Sequence, residues 1–293
     1  MQVGVQPSHE MVLRTANICL AEENLSYQEV VWRLEHTLEE RDRIAAELHS
    51  ELTLAREVQN SLLPYQTEQF DGLTGLNMAA KSLSGDFYDF YRLVDGRIIF
   101  CLADVSGKGM HAALLMAKSA SLFRCLCKGI HDPAKLLSML NLEIAETAIR
   151  GMFVTMLIGV YEPESGEVLL ANAGHPPALQ MSENGLVAEY PAGAPPLGID
   201  PGGVFPTYKF MLRNDCLYLY TDGLLEARIA DQRLEREGLL QLLQTHAQVP
   251  LRERATAIAH AVLDVGGHID DDLTIVIIDG AVQHRCDSGG ECG

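Results

Sequence analysis

The chain of 293 residues carries a formal net charge of −18, with 47% hydrophobic and 21% charged residues. This balance is typical of a folded globular protein and not of a disordered chain. The negative charge argues against binding to nucleic acid or to an anionic membrane, since both require basic patches. No segment resembles a signal peptide or an apolar span of ~18 residues, so we expect a soluble, cytoplasmic protein. Seven cysteines, most of them in apolar runs and without the spacing of a zinc site, predict buried, reduced thiols.

The N-terminal part of the chain shows little pattern over its first ~25 residues and then the spacing of a long helix. Apolar residues recur every three or four positions, at Val31, Leu34, Leu38, Ala45, Leu48, Leu52, Ala55 and Leu62. Arg41 and Gln59 fill the two remaining positions of this seam, and Pro64 ends the helix. Two alternatives remain open, a parallel dimeric coiled coil or one amphipathic helix packed on its own domain. We expect the dimer, with the polar positions setting its register.

After Pro64 the sequence changes to glycine-containing and β-branched segments. Their patterns predict strands at Arg97–Asp104, Phe153–Tyr161, Glu167–Ala173, Cys216–Thr221 and Leu273–Asp279. They predict helices at Gly109–Lys128, Pro133–Arg150, Leu239–Gln244 and Leu251–Val265, and a hairpin turn at residues 163–166. Strands separated by paired helices indicate an antiparallel-rich α+β domain. We expect a helical regulatory segment over residues 1–64, a folded domain over 65–280 and a flexible tail over 281–293.

Four segments place an aspartate where a strand begins or ends. Alone, each has an ordinary explanation: Asp222-Gly223 as a turn, for example, and the three acids at 270–272 as a helix cap or solvated loop. Together with Asp86 and Asp104, they predict converging carboxylates that repel one another unless a cation lies between them. Oxygen ligands favour Mg²⁺ or Mn²⁺ over zinc. Two such ions, about 4 Å apart, can direct a water molecule at phosphorus.

The motifs around these aspartates resemble, in the same order, those of the SpoIIE/RsbU-type bacterial phosphatases. They are Gly-Asp-Phe-Tyr-Asp at 85–89, Asp-Val-Ser-Gly-Lys-Gly-Met-His-Ala-Ala at 104–113, Asn-Ala-Gly-His-Pro-Pro at 172–177, Thr-Asp-Gly at 221–223 and Asp-Asp-Leu-Thr at 271–274. The family belongs to the metal-dependent PPM (type 2C) class, and the resemblance extends from about Leu54 to Asp279. It implies an α-β-β-α sandwich of two antiparallel sheets flanked by helices, with two Mn²⁺ or Mg²⁺ ions in a cleft at one end.

The resemblance also implies a role for each aspartate. Asp104 would bridge both ions, and Asp86 and the carbonyl of Val105 would complete one of the two sites. Asp222 and Asp271 would hold the other ion. The implied reaction is hydrolysis of phosphoserine or phosphothreonine by a metal-bound hydroxide, without a phosphoenzyme intermediate.

Several neighbouring residues match the family less clearly. Asp270 and Asp272 are doubtful ligands, because the family pattern places the ligand at the first acid of Asp-Asp-Leu-Thr. Lys108 is either a phosphate contact or a solvated loop residue. His175 is either a structural residue of a turn or an acid for the leaving group. No clear equivalent of the phosphate-binding arginine of the eukaryotic relatives is present.

The implied substrate is a phosphorylated anti-sigma-factor antagonist of the STAS type, in a partner-switching pathway of stress signalling. We expect a homodimer whose N-terminal helix receives an activator protein. Two other functions remain open, a non-catalytic interaction protein on the same fold or another two-metal phosphoester hydrolase. The presence of all four aspartates argues against the first, and the acidic charge argues against a nucleotide or nucleic-acid substrate.

Overall fold

The structure, a computed structural model, describes residues 9–64, 72–147, 151–229, 232–263 and 269–280. The helices are α1 His9–Asn60, α2 Met110–Leu126, α3 Pro133–Thr147, α4 Asp222–Glu226, α5 Glu235–Thr245 and α6 Leu251–Leu263. The strands are β1 Leu73–Met78, β2 Phe87–Arg92, β3 Ile98–Val105, β4 Val154–Glu162, β5 Glu167–Ala173, β6 Ala178–Ser182, β7 Gly185–Tyr190, β8 Thr207–Met211, β9 Cys216–Tyr220, β10 Arg228–Ile229, β11 Gln232–Arg233 and β12 Leu273–Asp279. The chain divides into two units, Met1–Leu54 and Ala55–Gly293.

In its described part, the first unit is the helix α1 as far as Leu54. The predicted start at Val31 is wrong, because α1 already begins at His9. Residues 9–30 contain no proline or glycine and many good helix formers, but their apolar residues lack a regular three–four spacing. The seam residues of this unit from Val31 to Leu48 expose about half of each large side chain. Within the described ranges, no helix combines the length and apolarity needed to cross a membrane.

The last turn of α1 belongs to the second unit and packs on it. Gln59 is buried and bonds to Ser84, and Leu62, just after the helix ends at Asn60, packs on the apolar core. The predicted dimer seam is therefore wrong at this end, because these two positions face the chain's own domain. For this turn the alternative of a helix packed on its own domain is correct.

The second unit is a sandwich of two five-stranded antiparallel sheets. Their strand orders are β1-β12-β9-β6-β7 and β2-β3-β4-β5-β8. One apolar cluster lies between the sheets, a second lies between β2–β5 and the helices α2 and α3, and a third covers β9 and β12 with α5 and α6. Each face of both sheets thus buries apolar side chains. The predicted α-β-β-α sandwich is confirmed.

The predicted strands are confirmed to within one residue at each end, and β4 and β5 form the predicted hairpin. Residues 148–150, 264–265 and the predicted tail at 281–293 lie outside the described residues. Helix α5 begins at Glu235, four residues before the predicted start at Leu239. The five described cysteines are free, and the expectation of buried thiols is wrong for Cys19 and Cys125, which are exposed.

Candidate active site

Sheet topology brings the four aspartate-bearing segments to one end of the sandwich. Asp86 precedes β2, and Asp104 lies at the end of β3, which runs antiparallel to β2. Asp222 follows β9, and Asp271 precedes β12, which runs antiparallel to β9. In each pair, one strand ends where its neighbour begins, so its two acids lie at the same end of that sheet. The hydroxyl of Thr221 lies 2.8 Å from Oδ2 of Asp86, so these ends of the two sheets meet.

Asp86 is the most buried of the four, with 2% of its surface exposed. Its Oδ2 atom accepts hydrogen bonds from the hydroxyl groups of Thr221, at 2.8 Å, and Thr274, at 2.7 Å. Burial, followed by the nearby charge of Asp104, raises the pKa of this carboxyl well above its usual value. The two threonines, which belong to the other sheet, therefore fix the orientation of the Asp86 carboxyl. Burial of this carboxyl disfavours its charged form.

Asp104 lies beside Asp86 and is partly buried. Burial and then the charge of Asp222 raise its pKa to about 6, although a hydrogen bond from Asp86 acts in the opposite direction. Its backbone is held within β3, where it pairs with Thr155 of β4. The charges of Asp222 and Asp271 both raise the pKa of Asp104, so this carboxyl lies close to both of these segments.

Asp222 and Asp271 approach each other because Gly223 has no side chain. A Cβ atom on Gly223 would lie 2.0 Å from the carbonyl oxygen of Asp272, which is far closer than atoms tolerate. The glycine in Thr-Asp-Gly therefore allows two backbone segments to touch, in addition to any role in a turn. Burial and then the charge of Asp271 raise the pKa of Asp222.

The carboxylate of Asp272 binds backbone N–H groups of the loop that precedes Asp86. Its Oδ1 accepts a hydrogen bond from the backbone N–H of Ala80, at 2.8 Å, and its Oδ2 accepts one from Gly85, at 2.6 Å. Both oxygens of this carboxylate thus hold the loop that leads to Asp86. The choice of Asp271 over Asp272 as a metal ligand stays a prediction.

Lys108 brings a positive charge into contact with this group of acids. Its Nζ atom lies 2.8 Å from Oδ2 of Asp271 and donates a hydrogen bond to the carbonyl oxygen of Asp270, at 2.9 Å. The hydrogen bond to Asp271 raises the pKa of the lysine. The side chain of Asp270 is not part of these contacts, and the residue is exposed.

The chemistry of these groups fits a hard divalent cation. Carboxylate oxygens that raise one another's pKa values gain stability when a cation enters between them. As the side chains stand, no three or more acidic, histidine or cysteine residues in the described ranges form a ready-made cage for an ion. The fit therefore rests on donor type and charge, and the ligand set of Asp86, Asp104, Val105, Asp222 and Asp271 remains a prediction.

His175 contacts Thr155, which pairs with Asp104, and Tyr220, which lies two residues before Asp222. It is 2% exposed; its Nε2 lies 3.2 Å from the carbonyl oxygen of Tyr220, and its Nδ1 lies 2.8 Å from the hydroxyl of Thr155. A carbonyl can only accept, so Nε2 carries the proton and Nδ1 accepts from the threonine. Burial lowers the pKa of the imidazole to about 3. A neutral imidazole with both nitrogens engaged favours the structural alternative over an acid for the leaving group.

We expect the stability advantage of the wild type over His175→Gln to shrink as the pH falls from 7 to 5. The folded pKa lies below the unfolded value of about 6.5, so the unfolded chain binds the proton and acid destabilises the fold. The loss at pH 5 is about 2 kcal/mol, and glutamine does not titrate. Urea unfolding of both proteins at several pH values measures this difference. A difference that is independent of pH would show that the imidazole is not held neutral.

The model of the SpoIIE family, described as "Stage II sporulation protein E", matches residues 94–280 of the chain. The chain belongs to the SpoIIE family. It is 29% identical over 241 residues to "Phosphoserine phosphatase RsbU" of Bacillus subtilis, covering 80% of this chain and 71% of that protein. The resemblance to SpoIIE/RsbU-type phosphatases is thus confirmed.

Solved structures agree with a SpoIIE-family fold. The SiaA-PP2C domain of Pseudomonas aeruginosa superposes with a TM-score of 0.72 at 19% identity, covering 80% of this chain and 98% of that domain. The RsbU and RsbW domains of a Mycobacterium tuberculosis protein superpose with a TM-score of 0.63 at 25% identity. That match covers 72% of this chain and 60% of that structure.

Sequence reasoning missed the residues that support the acids. Thr221 and Thr274 were noted only as parts of motifs, although both donate to Asp86. Asn77 was not singled out, yet its amide donates to Thr274 at 2.8 Å and to the carbonyl oxygen of Asp86 at 3.3 Å. A threonine within two residues of an acid in each of two motifs was the available signal, but the carboxylate that each threonine contacts depends on how the strands pack.

Proposed function

We propose that this protein is a metal-dependent protein serine/threonine phosphatase. The observation that supports it most is the group of acids at one end of a PP2C-type sandwich, each within electrostatic reach of the next. In this proposal Asp104 would bind both of two Mn²⁺ or Mg²⁺ ions. Asp86 and the Val105 carbonyl would complete one site, and Asp222 and Asp271 would complete the other. The catalytic domain is the proposed segment 65–280.

The residues of the chain contribute position and charge to the reaction. Bound divalent ions supply positive charge that neutralises the acids and activates water toward a phosphoryl group. Thr221 and Thr274 hold Asp86 in one orientation, which keeps the ligand set preorganised. Lys108, with 44% of its side chain exposed, lies where its ammonium group can also attract a phosphate dianion. The net charge of −18 would repel a phosphorylated substrate, so a local positive charge favours its approach.

The proposed substrate is a phosphorylated STAS-type antagonist of an anti-sigma factor, in a cytoplasmic partner-switching pathway. Support comes from the similarity to the RsbU phosphatase and to a structure that contains RsbU and RsbW domains. We further propose that α1 forms a homodimer and receives an activator protein, since its seam residues up to Leu48 are exposed.

We expect the purified chain to release phosphate from phosphorylated STAS proteins with Mn²⁺ or Mg²⁺ and to stop when EDTA is added. The acids repel one another without a cation, so removal of the metal dismantles the proposed site. Phosphate release from a panel of such proteins, against free phosphoserine as a control, measures this. Binding to a STAS protein without any metal-dependent turnover would indicate the non-catalytic alternative.

A further inference from the structure

The short segment that carries Asp86 is tied to the last turn of α1 by one side chain. Gln59 donates a hydrogen bond from Nε2 to the carbonyl oxygen of Ser84, at 2.7 Å. The backbone N–H of Ser84 donates to Oε1 of the same glutamine, at 2.9 Å. The side-chain amide of Gln59 therefore binds both the N–H and the carbonyl group of Ser84, as the backbone of an adjacent strand would.

These two hydrogen bonds, rather than packing alone, fix the position of the helix end here. Gln59 is 7% exposed, so its amide has few alternatives in solvent. A cavity of about 340 Å³ lies beside the pair and is lined in part by Asn60, Leu63, Asn77 and Ser84. Because of this open space, apolar contacts do not completely enclose Gln59 and Ser84. Loss of the two hydrogen bonds would therefore allow the two residues to separate.

From Ser84, the connection to Asp86 is short and stiff. The hydroxyl of Ser84 accepts from the backbone N–H of Asp86 at 3.0 Å and donates to its carbonyl oxygen at 3.2 Å. Gly85, between them, is held by Asp272 and fits closely, since a Cβ atom there would lie 3.3 Å from the carbonyl oxygen of Val105. A displacement of Ser84 therefore moves Asp86 and disturbs the space beside Val105.

We propose that Gln59 is a positioning residue that holds Asp86 in place for metal binding. The proposal rests on the proposed function, because it takes Asp86 as a metal ligand. It gives the last turn of α1 a direct influence on the metal site through three consecutive residues, 84–86. A change in the helix end that pulls Gln59 from Ser84 lowers metal affinity, and a change that restores the pair raises it.

The test is Gln59→Met, which keeps the length of the side chain and removes both hydrogen bonds. We expect the Mn²⁺ concentration for half-maximal activity to rise about 10-fold or more, as for other residues that orient metal ligands. The KM for the phosphoprotein should stay unchanged. Calorimetric titration with Mn²⁺ alone should show the same weakening, and the amides of Gly85 and Asp86 should exchange hydrogen faster.

The matched control is Asn60→Met, which places the same side chain on the adjacent, exposed position of the same turn. It should behave as the wild type in every measurement. Gln59→Glu keeps an acceptor for the Ser84 N–H but sets a carboxylate oxygen against the Ser84 carbonyl, so its Mn²⁺ affinity should also fall. Gln59→Glu decides the question if Gln59→Met does not fold.

Wild-type Mn²⁺ affinity and unchanged hydrogen exchange in a folded Gln59 variant would overturn the proposal. Failure of the proposed function gives a different result, since the wild type itself would then show no metal-dependent turnover. The exchange measurement on residues 84–86 needs no metal and no substrate. It therefore tests the link between Gln59 and the Asp86 segment independently of the reaction.

Discussion

Replacing Asp104 by asparagine is expected to lower metal-dependent phosphatase activity by about 100-fold or more and to stabilise the metal-free protein. An amide is a neutral and weaker ligand than a carboxylate, so the proposed bridge between two ions is lost. Asp104 is the acid whose pKa is raised by both Asp222 and Asp271, in addition to its burial.

The stabilisation follows from the raised pKa of Asp104. Its folded pKa of about 6 lies above the unfolded value of about 3.9, so the ionised form at pH 7.5 works against folding by about 3 kcal/mol. This penalty disappears as the pH falls below about 4, where the carboxyl is protonated in both states. Asparagine removes the penalty, and the variant should therefore melt above the wild type in EDTA at pH 7.5 and show no such advantage at pH 4.

The matched control is Asp95→Asn, which makes the same substitution before the opposite end of β3. Asp95 is an exposed partner of Arg97, and such surface pairs contribute little to stability. Activity with Mn²⁺ and thermal melting in EDTA are measured for the wild type and both variants. Near-wild-type activity in Asp104→Asn would refute the assignment of this residue as a metal bridge, and an unchanged melting curve would refute the repulsion argument.

The sequence could predict the acids of the site because each lies in a motif at the tip of a strand. Strands such as β3 and β12 are continuous apolar runs, and their ends are visible as the first charged residue. The four strands at the edges of the two five-stranded sheets, β1, β2, β7 and β8, were not predicted; β7 and β8 have several half-exposed residues and no continuous apolar run. The interior strand β6 was also not predicted, although four of its five residues are buried.

The residues that hold the acids in place could not be predicted from the sequence, because their roles depend on contacts between segments that are distant in the chain. Thr274 meets Asp86 across 188 positions of sequence, and Gln59 meets Ser84 across 25. Gln59 fitted the helical seam equally well, and only the packed structure shows that the chain's own backbone satisfies its amide. A polar residue in a heptad pattern thus has two possible partners, a second helix or its own domain.

The second large effect that we expect is loss of the dimer when the seam of the N-terminal helix is changed. We predict that Leu38→Asp combined with Leu48→Asp converts a wild-type dimer into a monomer at concentrations on the order of tens of micromolar. Both leucines lie on the predicted seam, and 48% and 54% of their surfaces are exposed within the chain. In a parallel coiled coil each would meet its counterpart, so the substitutions would bury unpaired like charges. Light scattering of both proteins measures the change.

The control places two aspartates on the outer side of the same helix, at Trp32 and Leu54, which are 56% and 59% exposed. Trp32→Asp with Leu54→Asp adds the same charge off the seam and should leave the dimer intact, because neither position faces a partner in the heptad pattern. Phosphatase activity, measured in parallel, should change only in the seam variant if dimer packing regulates the site. A monomeric wild type at these concentrations would contradict the dimer seam, and regulation through it would have to be abandoned.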